Sequence, residues 1–199
     1  MTTEERFVID TYAALDRAAT RQLDWLSRER GVVASCKRNC SYCCRFHIVV
    51  SRAEVHALAQ YLRREFSAEQ LEQLRRRVEQ WHQWDDSRPG RHAVASLDLP
   101  LDPTTYEQRC PLLVDGQCSA YPARPVACRA HFVTSDPQDC FAAIDPRSTA
   151  PAPITLPSVL AGTSPFEAAV RGRGAVAGSD ATRSLMLLPQ ALAIELGWK

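Results

Sequence analysis

Eight cysteines in two blocks constrain this chain of 199 residues more than any other feature of its sequence. Four of them fall within residues 36–44, a density too high for thiols that serve only as small buried hydrophobic groups. Closely spaced thiolates suit the tetrahedral coordination of Zn²⁺, and four thiolates commonly hold an iron–sulfur cluster. The cysteines of both blocks are therefore the candidate metal ligands: Cys36, Cys40, Cys43, Cys44, Cys110, Cys118, Cys128 and Cys140.

The expected compartment of the chain favours metal ligands over disulfides. The first residues are polar and acidic where a signal peptide would be basic and then apolar, and no apolar run reaches the ~18 residues of a membrane helix. We therefore expect a cytoplasmic protein without a membrane partner, whose thiols are kept reduced. Reduced cysteines in such blocks are typical of metal sites or catalytic thiols. The net charge of +1 gives no reason to expect nucleic-acid binding, so the predicted partner is a metal ion.

The adjacent pair Cys43-Cys44 leaves the number of metals open. Neighbouring side chains usually point apart, so that joint binding of one tetrahedral ion by both thiols is awkward. The pair is compatible with a polynuclear site, with one ligand for each of two sites, or with one ligand and one spare thiol. Eight cysteines also exceed the four that a single iron–sulfur cluster needs.

The rest of the chain predicts a mainly α fold, a small helical domain with loop-rich, metal-organised cysteine segments. Residues 1–30 carry apolar side chains at helical spacing, with a threonine cap at residue 2 or 3 and Gly31 as the stop signal. Two capping boxes, in which Ser is followed three residues later by Glu or Gln, predict further helices that begin after Ser51 and Ser67. Between the first cysteine block and Ser51, residues 46–50 are expected to be a short strand or a buried extended segment.

Residues 98–140 show little periodicity and are rich in cysteine and proline, which is typical of loops that a metal organises. Within them, Asp115-Gly116 is a turn signal that predicts a tight hairpin. This hairpin would bring Cys110 and Cys118 together.

We expect residues 1–145 to form a helical, cysteine-cluster metal-binding domain. Residues 146–199 are expected to be a Pro/Gly-rich connector and a C-terminal helix that packs on the same domain. The helical run lies within residues 185–196, and Pro189 is expected in its first turn. The glycines between residues 172 and 178 predict a flexible loop.

Two arginines flank Cys128 and are the candidate cofactor-binding residues. Arg124 and Arg129 could donate hydrogen bonds to the sulfur atoms of a cluster or hold an anionic ligand, because a guanidinium presents several donors in a fixed plane. His131 and His47 could each add a nitrogen ligand, although a structural histidine is the more common reading of either.

The order of these motifs resembles the bacterial cysteine-cluster proteins known as the CxxCxxCC or YkgJ-like family, a zinc- or iron-chelating domain. The resemblance covers about residues 36 to 140 and rests on the following motifs: Cys36-x3-Cys40-x2-Cys43-Cys44, Ser51-Arg52-x-Glu54, Cys110-Pro-Leu-Leu, Asp115-Gly116-x-Cys118, Tyr121-x2-Arg124-Pro125 and Cys128-Arg129. The first gap holds three residues where the family label has two. The resemblance implies metal chelation by the cysteines.

Three functions follow as hypotheses. The leading one is a protein that chelates zinc or iron, including iron as a [4Fe-4S] cluster, through cysteines of both blocks. The second is an iron–sulfur enzyme or redox protein related to flagellin lysine methylases, which carry a similar cysteine cluster, although no substrate-binding region matching theirs is visible in this chain. The third is an interaction module with a purely structural zinc site.

Overall fold

The computed structural model describes residues 1–37, 40–45, 47–91, 108–142, 154–173 and 185–198. Most of these residues are helical, which confirms the predicted mainly α fold. The helices are α1 (Thr3–Arg30), α2 (Arg52–Glu65), α3 (Ala68–Ser87), α4 (Val126–Arg129), α5 (Pro137–Ala142), α6 (Pro157–Arg173) and α7 (Leu188–Glu195). The expected domain boundary at residue 145 and the start of the connector lie outside the described residues, so the domain division stays a prediction.

The first helix begins and ends as its sequence predicts. The side-chain oxygen of Thr2 accepts a hydrogen bond from the backbone N–H of Glu5, and Gly31 ends the helix in the left-handed conformation, with φ of 63°. The side chains buried along its inner face include Val8, Tyr12 and Leu15. This face of α1 packs against α6 and α2.

Both predicted capping boxes are present, but they differ in burial. At the start of α2, Ser51 and Glu54 exchange hydrogen bonds and both are buried. At the start of α3, Ser67 and Gln70 make the same reciprocal pair on the exposed surface. The two boxes are therefore locally equivalent, while only the first lies inside the fold.

The largest core cluster joins the middle and the end of the chain. Helix α7 packs on α2 and α3, and Pro189 stands in its first turn as predicted. The two residues before helix α7 form strand β4 (Met186–Leu187), which pairs antiparallel with strand β1 (Val49–Val50). The buried members of this cluster include Leu58, Leu62, Leu74, Val78, Leu112, Leu188 and Leu192.

Helix α6 and the residues that precede it differ from the prediction, which placed them in a connector and a loop. Residues 154–156, expected in the Pro/Gly-rich connector, run beside residues 132–134, with a bridge between Val133 and Thr155. Residue 172, expected in a loop, lies within α6. The helix escaped prediction because Pro165 and two glycines interrupt its pattern, while its burial against α1 supplies the packing that favours helix formation.

Among the described residues, no helix combines the length and the apolar composition that crossing a bilayer requires.

Candidate metal centre

Hydrogen bonds to the second half of the chain hold the N-terminal end of the first cysteine block. The backbone N–H and the hydroxyl of Ser35 both donate to the carbonyl oxygen of Val133, at 2.9 and 3.1 Å. In return, the N–H of Val133 donates to the Sγ atom of Cys36 at 3.3 Å. The block then turns through a short 3-10 helix (Tyr42–Arg45), which carries Cys43 and Cys44.

The two cysteine blocks touch through their backbones. The N–H of Cys110 donates to the carbonyl oxygen of Cys44 at 2.8 Å. Beyond Cys110, strands β2 (Leu113–Val114) and β3 (Gln117–Cys118) form the predicted hairpin. Its turn residues Asp115 and Gly116 have φ of 49° and 75°, which is the left-handed pair of a tight hairpin turn. The hairpin returns Cys118 toward Cys110.

Cys128 is carried by α4, and a buried carboxylate fixes the start of this helix. The Oε1 atom of Glu54 accepts a hydrogen bond from the N–H of Val126 at 3.0 Å. The Oε2 atom of the same group accepts from the N–H of Ser51 at 2.9 Å. Because Glu54 belongs to the first turn of α2, the helical scaffold positions the segment that presents Cys128.

Six of the eight cysteines line one cavity of about 240 Å³. They come from both blocks: Cys40, Cys43, Cys44, Cys110, Cys118 and Cys128. The other lining residues are His47, Ile48, Leu112, Tyr121, Arg124, Pro125, Ala127, His131 and Leu188. The cavity is therefore a pocket of soft sulfur donors set in an apolar lining, with one arginine among them.

The other two cysteines do not line this cavity. Cys36 is held by Val133, and Cys140 is buried on α5, which packs against the 3-10 helix of the first block. The thiols that act on Cys140 electrostatically are Cys36, Cys43 and Cys40. Those that act on Cys110 are Cys128, Cys118 and Cys43. The thiols thus fall into an outer pair, Cys36 and Cys140, and a cavity group of six, of which Cys40 and Cys43 also act on both outer thiols.

Without a metal, the environment favours protonated thiols. Burial raises the pKa of Cys128 to about 12 and the pKa of Cys140 to about 11, with neighbouring thiols adding to both shifts. Burial also raises the pKa of Cys110 well above its usual range. The pKa of Cys43 is raised above all by its hydrogen bond with Cys44 and then by burial. A thiolate is the form that ligates a metal, so metal uptake here must displace protons.

The donor chemistry fits a soft metal, although the ligands are not preassembled. In the part of the chain that the structure describes, no three His, Cys, Asp or Glu side chains stand at metal-binding geometry. Six sulfur atoms around one cavity are nevertheless the donor set that zinc and iron–sulfur centres use. Closing them on a metal requires side-chain rotation or small shifts of the loops that carry them.

The two predicted cofactor-binding arginines differ in position. Arg124 lines the cavity, and its guanidinium stacks on the Tyr121 ring with the Cζ atom 4.1 Å from the ring centre. Arg129 is absent from the cavity lining and is buried. Its guanidinium donates to the carbonyl oxygens of Arg124 and Pro122 and to the carboxylate of Asp16, and it lies over the Tyr12 ring. Arg129 therefore ties α4 to α1, and a direct role toward a cofactor stays a prediction.

Both candidate histidines line the cavity. Burial lowers the pKa of His131, which favours the neutral imidazole that can ligate a metal. His47 packs edge-on against Trp81 and Trp84, with ring centres 6.4 and 6.0 Å away.

A family model matches residues 35–145, which is more than half of the chain. The family is CxxCxxCC, described as a "Putative zinc- or iron-chelating domain". The chain belongs to the CxxCxxCC family. No curated protein and no solved structure matches the chain. Membership in the CxxCxxCC family supports metal binding as the general function, and the matched range includes all eight cysteines.

Sequence reasoning missed the residues that hold the site of this CxxCxxCC chain in place. Glu54 was expected only as the partner of Ser51 in a capping box, but it also accepts from Val126. Asp16 is an ordinary polar position of α1 in the sequence, and only the fold pairs it with Arg129. Neither role has a local signal, because both contacts span more than seventy residues.

Proposed function

We propose that this protein chelates zinc or iron in the cavity, through thiols from both cysteine blocks. The convergence of six thiols on one cavity is the observation that carries this proposal. Within that set, we assign the metal to Cys43, Cys110, Cys118 and Cys128. These four come from separate segments of the chain and are electrostatic neighbours of one another. Cys40, Cys44, Cys36 and Cys140 are then available to a second metal or to thiol chemistry.

The size of the cavity supports a polynuclear centre over a single ion. One zinc ion lies about 2.3 Å from each of its sulfur ligands, so the ion adds almost no volume beyond the sulfurs themselves. A cavity of about 240 Å³ leaves room for several more atoms. An iron–sulfur centre would use more of this space than a single ion does, which makes a redox protein or iron–sulfur enzyme our second candidate function.

The residues of the chain contribute charge and protons to this chemistry. A metal held by thiolates supplies either a structural cross-link or, as an iron–sulfur centre, a site for one electron. The thiols give up their protons on loading, and Arg124 offers a positive charge that lowers the pKa values of Cys43, Cys118 and Cys128. Tyr121 holds this guanidinium by stacking.

We also propose that residues 1–145 form the metal-binding domain and that the last segment packs on it, in a cytoplasmic protein. The packing of α7 on α2 and α3 supports this arrangement.

The test is anaerobic purification followed by quantification of zinc, iron and acid-labile sulfide, with a visible spectrum. A brown protein with iron and sulfide supports the iron–sulfur function, and a colourless zinc protein removes it. Cys128→Ser and Cys118→Ser should each lose the cavity metal. Retention of full metal content in both variants, or absence of metal in the wild type after supplementation, would contradict chelation in this cavity.

A further inference from the structure

Among the described residues, nothing accepts a hydrogen bond from the buried Nε atom of Arg124. Its guanidinium makes no hydrogen bond and no ion pair with the residues that the structure describes, and its Nε atom is buried. A buried donor without a partner costs on the order of 1–3 kcal/mol of stability. The Nε atom is closed off, so a ligand in the cavity would reach the terminal Nη atoms of Arg124, which lines the cavity wall.

The guanidinium of Arg124 is held in place. It stacks on the Tyr121 ring, with the Cζ atom 4.1 Å from the ring centre. Its own carbonyl oxygen accepts a hydrogen bond from the Nε atom of Arg129 at 2.7 Å, and Arg129 is in turn fixed to Asp16. Pro125, the next residue, restricts the backbone further. A planar donor group fixed in this way loses little entropy when it binds an anion.

The cavity offers both volume and apolar surface. A volume of about 240 Å³ is far above the roughly 10–15 Å³ that one ordered water needs. Its lining includes the aliphatic side chains of Ile48, Leu112 and Leu188. A pocket whose surface is largely apolar and carries one fixed charge is the usual form of a small-molecule site.

We propose that Arg124 and the apolar wall of this cavity bind a small aliphatic carboxylate beside the thiol cluster. The two carboxylate oxygens would accept from the guanidinium in a bidentate pair, while the aliphatic part would contact Ile48, Leu112 and Leu188. A carboxylate matches this donor better than the cysteine thiols do, because a thiol sulfur is a weak acceptor. This inference rests on the proposed function in one respect: the metal bound by the thiols would form part of the wall of the carboxylate site.

The test uses the full chain, reduced, in metal-free and metal-loaded forms at constant ionic strength. Binding of butyrate is measured by ligand-observed saturation-transfer NMR and titration calorimetry, with 1-butanol as the uncharged analogue. Metal content is measured in the same samples. The variants are Arg124→Gln and Arg124→Lys, with Arg75→Gln as a matched control, because Arg75 pairs with Glu79 on the exposed face of α3.

We expect saturable butyrate binding to the wild type and to Arg75→Gln, weakened at least tenfold in Arg124→Gln. Arg124→Lys should fall between them, because lysine keeps the charge and loses the planar pair of donors. The Lys variant keeps the test valid if the Gln variant does not fold.

Three results would overturn the inference: no saturable butyrate binding to the wild type, equal binding to Arg124→Gln, or 1-butanol binding as tightly as butyrate. If the wild type binds no butyrate and Arg124→Gln loses metal, the inference is wrong and the role of Arg124 is to offset the negative charge of the thiolates. Butyrate binding to a wild type that takes up no metal would support the carboxylate site and refute the proposed metal function.

Discussion

The buried carboxylate of Glu54 gives the sharpest prediction about how the helices support the cysteine site. Glu54→Ala removes two short interactions and one longer hydrogen bond at once. The first is the capping box with Ser51 at the start of α2, and the second is the acceptor for the N–H of Val126 at the start of α4. The same carboxylate also accepts a longer hydrogen bond of 3.5 Å from the Tyr12 hydroxyl.

The expected loss of stability is the sum of these interactions. A helix cap contributes about 1 kcal/mol. A buried N–H left without an acceptor costs about 1–3 kcal/mol. We therefore expect Glu54→Ala to lower the free energy of unfolding by about 2–4 kcal/mol. The exposed box of α3 provides the control, because Gln70→Ala removes a similar local motif without a tertiary contact and should cost at most about 1 kcal/mol.

Urea denaturation of both variants, followed by far-UV circular dichroism on metal-free protein, measures these differences. Metal retention in the presence of a competing chelator is measured in parallel. Because α4 carries Cys128, Glu54→Ala should also release metal faster than Gln70→Ala. Equal destabilisation by the two variants would refute the reasoning, since it would mean that the link between Glu54 and Val126 contributes nothing.

Three further predictions follow. Because burial raises the pKa of Cys128 to about 12 while unfolded thiols titrate near 9.0, the stability of the metal-free protein should change little with pH well below pH 9 and fall by about 1 kcal/mol by pH 10. Urea titrations across this range test the sign, and stability that rises between pH 9 and pH 10 would contradict it. Cys140→Ser should leave the metal of the cavity in place and Cys128→Ser should remove it, because Cys128 lines the cavity and Cys140 does not. Equal loss of metal from the two variants would mean that both thiols belong to one site. Asp16→Asn removes the charge that pairs with buried Arg129. It should lower the free energy of unfolding by about 1–3 kcal/mol and with it the melting temperature, whereas Asp24→Asn on the exposed side of α1 should change neither. An unchanged melting temperature for Asp16→Asn would show that the pair does not stabilise the fold.

The local elements of this fold follow closely from the sequence, because their signals lie within one turn or one hairpin. Thr2 and Gly31 bound α1, and Ser51 and Ser67 open α2 and α3 as predicted. The hairpin at Asp115-Gly116 was equally readable, since its turn requires two left-handed residues. By contrast, α6 has Pro165 and a weak apolar pattern, so that its helical state depends on packing against α1.

The composition of the candidate site was also readable from the sequence, whereas its arrangement was not. Clustered cysteines predict soft-metal chemistry wherever they occur, because the thiolate itself selects the metal. Which thiols meet is a matter of distance in space, and it depends on contacts such as the one from Cys110 to Cys44. The same is true of Arg124 and Arg129: two similar positions in the sequence, of which the fold directs one into the cavity and the other into the interface with α1.

By itself, then, the sequence determined the helical class, the caps and the sulfur chemistry, each of which depends on residues close together in the chain. Only the tertiary structure decided that six cysteines share one cavity while Cys36 and Cys140 lie outside its lining, and that a buried glutamate and an aspartate hold the helix that carries Cys128. The physical reason is that these contacts join residues far apart in the chain, and burial of the helices on one another selects them rather than any local preference.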